Sequence, residues 1–259
     1  MKALELYNEL CKVIPSALSC EWDHDGLEAC PDPDREVRKI LISLDVTDEV
    51  VDAAVSGGFD VIISHHPVFF GQLDGVNATQ QKGAVAVKLA KNDISVMSFH
   101  TRLDALEGGV NDTLAQMLGL VNVSCVEADG DGIMRIGELC DECGAEEFCA
   151  RVKAALSTRE GQASVTLSPA GKTVKRVALI GGSGGDYIGM AAKAGADTYV
   201  TGEAKYHHYL SASEYGVNVI SAGHFHTEYP VCCVLAEKVG RICPGAPVEI
   251  YHSDRMKTF

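Results

Sequence analysis

The apolar run Val61-Ile62-Ile63-Ser64 leads directly into His65-His66-Pro67. Two later segments each place a carboxylate four residues after a histidine: His100-Thr101-Arg102-Leu103-Asp104 and His224-Phe225-His226-Thr227-Glu228. Imidazole nitrogens and carboxylate oxygens arriving from strand ends form a donor set for divalent metal. Inside a regular strand His65 and His66 would face opposite ways. Just past its carboxyl end, where Pro67 stops the ladder, both can turn into one crevice. Open α/β sheets bind ligands at such ends.

His65, His66, Asp104, His224 and Glu228 supply five ligands, too few to saturate two ions. That deficit leaves positions for water or substrate, which a catalytic site needs and a structural one avoids. A carboxylate can bridge two ions about 3.5–4 Å apart, and Glu228 is the expected bridge. His65 and Asp104 then favour one ion, and His66 and His224 the other. His100 and His226 read as supporting partners or acid/base groups, with an inert histidine the stronger reading for His226. His100 is the candidate for proton transfer. The ligand types fit zinc, manganese, iron or nickel alike.

The elements that must position these residues alternate. A first amphipathic helix (Ala3, Leu6, Tyr7, Leu10, Val13, Ile14) precedes a turn-rich stretch from Trp22 to Pro33. Strands are expected at 39–44, 60–64, 95–99 and 134–139, and helices at 48–56, 82–91, 109–118 and 145–156. Gly57-Gly58 stops the second helix. Such alternation implies parallel sheets with crossovers.

Sliding residues 38–66 forward by 137 positions lays them on residues 175–203 without a gap, Gly58-Phe59-Asp60 falling on Gly195-Ala196-Asp197. A shift of 124 places His100 on His224 and Asp104 on Glu228. The expectation is an internal duplication: two similar α/β domains, residues 1–123 and 124–259, facing a metal-binding cleft. The C-terminal segment is expected to be able to return to the first domain.

A formal net charge of −14 opposes nucleic acid as the main partner. No run approaches the roughly 18 apolar residues of a membrane span, and the N-terminus lacks the pattern of a signal peptide, so a cytoplasmic protein is expected. Among ten cysteines, Cys140 and Cys143 have zinc or redox spacing without further ligands at a suitable distance. The simplest reading is that they are reduced and incidental. Cys232-Cys233 reads as core. Gly181-Gly182-Ser183-Gly184-Gly185 is either a phosphate-cradling turn or a tight strand-to-helix turn, since neither nucleotide fingerprint is complete.

Several motifs together resemble the NIF-three-like family: His65-His66-Pro67, His100 with Asp104, Gly108-Gly109-Val110-Asn111-Asp112, Thr201-Gly202-Glu203, and Ala222-Gly223-His224 with Glu228. Its bacterial members are known as type-two GTP cyclohydrolase I homologues. The resemblance runs from Trp22-Asp23 to about Val248. It implies two α/β domains of similar topology, a dinuclear metal site on His65, His66, Asp104, His224 and Glu228, and a ring-shaped homohexamer. It also implies hydrolytic opening of the guanine imidazole ring of GTP, a nucleotide substrate for which the sequence itself offers only the glycine turn. His24-Asp25 departs from the family pattern, which has Asn followed by an apolar residue. Asp-His-His phosphoesterases also carry paired histidines after a strand, but Ser64 stands where they have aspartate. The alternative class is a non-catalytic metal-binding or partner-binding assembly protein.

Overall fold

The structure is a computed structural model and describes residues 1–71, 75–126, 132–158 and 161–256. The N-terminal amphipathic pattern forms α1 (Ala3–Val13), which buries Ala3, Leu6 and Leu10. Then follow β1 (Leu27–Ala29), β2 (Ile40–Ser43), α2 (Asp48–Gly57), β3 (Val61–Ser64), α3 (Gln81–Lys91), β4 (Ser95–Ser98) and α4 (Thr101–Ala105). Thr47 caps α2 by accepting from the Val50 amide, and Gly58, at φ 69°, ends it in the left-handed region where a side chain would be strained. Next come α5 (Val110–Met117), β5 (Val121–Cys125), β6 (Arg135–Cys143), α6 (Ala145–Leu156), β7 (Thr166–Ser168) and β8 (Val174–Ile180). The chain continues through α7 (Ile188–Lys193), β9 (Thr198–Thr201), α8 (Tyr206–Tyr215), β10 (Asn218–Ser221), α9 (His224–Glu228), α10 (Val231–Ile242) and β11 (Val248–Tyr251).

Two compact units result. The first comprises Met1–Leu103 and Val231–Arg255; the second comprises Asp104–Pro230 with Met256. The sequence reading divides the chain at 123/124 instead. Residues 104–123 fold with the second unit because β5 pairs with β6 and α5 packs beside β8. The C-terminal segment does return: β11 pairs with β2, and α10 packs on α1.

The first unit's sheet has the order β1-β4-β3-β2-β11, with β1 antiparallel and the rest parallel. β2, β3 and β4 are buried at every position, as strands covered on both faces must be. Leu41, Ile62 and Val96 meet Val50, Val51, Val85 and Leu89 of α2 and α3 on one face. The second unit's sheet has the order β5-β6-β8-β9-β10-β7. Alternation separates its two cores: Val177, Leu179, Val200 and Ile220 join Leu114, Phe148 and Val152. Ala178, Ile180, Tyr199 and Val219 join Ile188 and Ala212.

Within each sheet the same plan recurs: an antiparallel strand, then three parallel strands, the last of which pairs with the first. β1-β4-β3-β2 and β7-β10-β9-β8 are matched in order and direction. The hydrogen bonds match too. The Asp60 amide donates to Lys39 O and the Asp197 amide to Arg176 O, both at 3.0 Å. The Asp60 carboxylate accepts from the Arg38 amide and that of Asp197 from the Lys175 amide. Among the described residues, no helix is long and apolar enough to cross a membrane.

Candidate functional site

The three histidines of the first unit sit where β3 and β4 end. His65 is fully buried, and its Nδ1 lies 3.0 Å from the Phe99 carbonyl. A carbonyl only accepts, so Nδ1 carries a proton, and in the neutral ring the lone pair falls on Nε2. His66 Nδ1 lies 2.7 Å from Asp45 Oδ1, which fixes the same tautomer. The loop bearing the pair is pinned: the His66 amide donates to Leu44 O, Ser64 Oγ donates to His66 O, and Glu28 accepts from the Val68 and Phe69 amides. Burial pushes the Glu28 carboxyl above its ordinary pKa, against the pull of those two amides.

His100 completes the group. Ring centroids are 4.9 Å apart for His65–His66, 5.3 Å for His65–His100 and 5.6 Å for His66–His100. One ring nitrogen of each lies within 4.8 Å of the others. His100 Nδ1 is 3.1 Å from Asp23 Oδ2, which also accepts from the Thr101 amide and hydroxyl. Burial raises the Asp23 pKa, but the hydrogen bonds and charge of His100 and the Thr101 bonds prevail and hold it well below the carboxylate range. Asp25 does different work in the same loop. It accepts from the His100 amide and from Arg102 Nε and Nη2, each at 2.8 Å, in a buried bidentate pair. Arg102 exposes 2% of its surface. The departure at His24-Asp25 thus places the anchor of a buried arginine.

The second unit holds Asp104, His224 and Glu228. His224 and Glu228 are the first and last residues of α9, so the i,i+4 spacing places them on one face. His224 Nε2 is 3.0 Å from Glu228 Oε2, and His224 Nδ1 is 3.5 Å from Glu203 Oε1. Two ligands on one ion, each about 2.0–2.1 Å from it, stand about 3 Å apart, so the Nε2–Oε2 pair has the spacing of a shared ion. His226 is two residues on and faces away, beside Gly161 and Gly223. Asp104 lies near the end of α4. Asn111 ties this segment to the sheet by donating to Asp104 O and accepting from the Gly181 amide. Arg135 bonds both Asp112 and the Ala105 carbonyl. The Gly108–Asp112 motif therefore anchors Asp104.

The glycine turn after β8 is a packing device. Its Gly181, Gly182 and Gly184 amides donate to Asn111, Thr227 and Thr201 side chains, so they do not face a phosphate. A Cβ on Gly182 would stand 2.0 Å from Glu228 Oε1, and one on Gly202 would stand 2.6 Å from Gly182 O. Gly182 clears the space Glu228 occupies, and Gly202 admits the backbone of Gly182 beside it. Cys140 and Cys143 lie along β6 without a disulfide, one exposed and one buried. Neither belongs to a grouping that could hold a metal among the described residues. Cys232 is buried as expected, while Cys233 is exposed.

Asp186, His207 and His208 form another grouping, which the sequence reading does not include. His208 Nδ1 accepts from the Lys205 amide at 3.1 Å, so Nε2 must carry the proton it gives Asp186 at 3.0 Å. That tautomer caps a helix and does not ligate metal.

His65 and His66 fit a divalent ion on their own chemistry: each is anchored through Nδ1, the arrangement that turns Nε2 toward a metal. A two-sheet α/β scaffold with clustered histidine and carboxylate groups capable of metal binding is the class these observations define. The chain belongs to the Duf34/NIF3 (NGG1p interacting factor 3) family, whose model matches residues 1–258. It is 34% identical over 244 residues to the GTP cyclohydrolase 1 type 2 homolog of Clostridium perfringens, covering 92% of this chain and 91% of the relative. The Streptomyces coelicolor protein of the same name is 31% identical over 245 residues, covering 92% and 85%. A Staphylococcus aureus hypothetical protein superposes with a TM-score of 0.88 at 29% identity, covering 100% of this chain and 99% of that one. A Bacillus cereus protein related to NIF3 reaches 0.89 over the same shares at 24% identity, a likeness of fold.

Proposed function

We propose that this protein is a metal-dependent hydrolase in which His65, His66, Asp104, His224 and Glu228 hold two divalent ions, Glu228 bridging them. The observation that carries the reading is the anchoring of His65 and His66 through Nδ1, by a carbonyl and a carboxylate, with His224 Nε2 and Glu228 Oε2 3.0 Å apart. Ions at such a site lower the pKa of water and polarise an electrophile. The chain's own residues position those ions, and His100 moves the proton. Ring opening of GTP with release of formate is the activity that the names of the relatives suggest. We further propose a cytoplasmic homohexamer, and an internal duplication as the origin of the two matched sheets.

Elemental analysis of wild type and Glu228→Gln tests the ligand set. Two ions per chain falling to one or none is the expected result; unchanged stoichiometry removes the bridge. Formate release from GTP should require metal and vanish in His66→Ala. If the metal-replete protein turns over neither GTP nor a broad panel of nucleotides, phosphoesters and cyclic amides, it is a binding protein instead.

A further inference from the structure

We infer that Asp23 is a positioning residue that fixes the ring orientation and the Nδ1–H tautomer of His100, leaving Nε2 for the proton transfer proposed above. His100 Nδ1 lies 3.1 Å from Asp23 Oδ2. The same oxygen takes the Thr101 amide at 3.0 Å and the Thr101 hydroxyl at 2.6 Å, while Oδ1 takes the His24 amide at 2.9 Å. Four donors converge on one buried carboxylate, whose side chain is 2% exposed. A carboxylate so surrounded is an acceptor only. Nδ1 of His100 must therefore donate, so that in the neutral ring the lone pair resides on Nε2.

The geometry sets which nitrogen moves the proton. A neutral imidazole with its proton on Nδ1 and its lone pair on Nε2 can take a proton before it gives one. In hydrolysis, Nε2 forms an N–H bond as an attacking water loses its O–H bond. The same proton then passes from Nε2 to the leaving atom. Nδ1 keeps its own proton throughout, and Asp23 stays ionised, stabilising the imidazolium that forms between the two transfers. Thr101 makes the carboxylate hard to displace: its hydroxyl donates to Asp23 while accepting from the Cys20 amide at 2.9 Å. The direction of transfer rests on the hydrolase reading; the tautomer does not.

The test is nitrogen NMR of histidine-labelled, metal-free protein at mildly alkaline pH, with the His100 signals identified by their loss in His100→Gln. Wild type should show a protonated Nδ1 and an unprotonated Nε2. Asp23→Asn, whose amide oxygen can still accept, should keep that tautomer. Asp23→Ala should move His100 toward the Nε2–H form that free histidine favours, with an unchanged thermal midpoint or with the shift still visible well below it. Wild type already in the Nε2–H form, or Asp23→Ala without effect on the tautomer, overturns the proposal. Because no metal or turnover is needed, this failure is distinct from failure of the hydrolase reading. Where turnover is found, Asp23→Ala should lower kcat at least 10-fold with KM unchanged; a change in KM alone also overturns it.

Discussion

The two sheets place different chemistry on matched positions. The shift of 137 that aligns Asp60 with Asp197 also sets Asp45 against Gly182, His65 against Gly202 and His66 against Glu203. In the first unit these positions are filled: Asp45 holds His66, and His65 is buried against Phe99. In the second, Gly182 and Gly202 carry no side chain, so that Glu228 from α9 can lie against the bare backbone of Gly182, while Glu203 stands 3.5 Å from His224 Nδ1. One unit presents imidazoles, His65 backed by a carbonyl and His66 and His100 by carboxylates. The other presents two carboxylates directly, Asp104 and Glu228, with the single imidazole of His224. A common scaffold thus carries different donor groups at its matched strand ends, imidazoles in the first unit and carboxylates with one imidazole in the second.

The matched aspartates offer the sharpest way to break the comparison. Asp60 accepts from the Arg38 amide and pairs with both Arg35 and Arg38 guanidinium groups, whereas Asp197 accepts from the Lys175 and Arg176 amides. Asp60→Ala should cost about 3 kcal/mol of stability and Asp197→Ala about 2 kcal/mol, read from denaturant unfolding. Equal losses would show that the arginines contribute nothing. Burial raises the Asp60 pKa, but Arg38 and Arg35 outweigh it and leave it lowered. A carboxyl depressed in the folded state contributes its stability above the unfolded pKa, about 4, and loses it as pH falls through the folded value. Wild type should therefore lose stability more steeply than Asp60→Asn on acidification below about pH 4.

Gly182 tests whether empty space is what distinguishes the second unit. Its φ is 62°, and a Cβ would press on Glu228. Gly182→Ala should cost about 2 kcal/mol and move Glu228 away from His224, visible as weakened metal binding. The reciprocal change, Asp45→Ala, removes the anchor of His66. It should leave the fold intact and weaken metal affinity about 10–100-fold, measured by competition with a chromogenic chelator. The smallest effect is expected at Cys140: Cys140→Ser should change stability by less than about 0.5 kcal/mol and leave metal content alone. A change in bound zinc would revive the chelate reading.

Much of this fold is legible in the sequence because its buried elements have strong local signals. β3 is a continuous apolar run between Asp60 and His65, and the edges of β2, β3 and β4 fall within a residue of expectation, while β6 runs four residues past its expected end, to Cys143. The edge strands β1 and β7 are not legible, having three residues each and little apolar periodicity. The division between the units is missed for a related reason, since pairing of β5 with β6 is a tertiary choice. At the site, spacing singles out the histidines and the carboxylates that follow them. It does not single out Asp23 or Asp45, which lie 77 and 21 residues from the imidazoles they hold. Trp22-Asp23-His24-Asp25-Gly26 reads only as a turn, and nothing in it distinguishes the aspartate that meets His100 from the one that meets Arg102. Gly182 carries a signal, a glycine run after a strand, that suggests phosphate as readily as a packed carboxylate.

The pairing of β11 with β2 bears on how the chain can be made. A ribosome delivers residues in order, so all of 104–230 emerges before α10 and β11 can join the unit that begins at residue 1. The second unit completes itself first, while the first waits with the edge of β2 uncovered and the α1 face that α10 covers still bare. An uncovered parallel edge is a template for unwanted pairing. Translation that stalls or stops near Pro230 would leave a finished second unit tethered to an unfinished, adhesive first one, making the last 25 residues before Met256 the step on which a clean nascent chain depends.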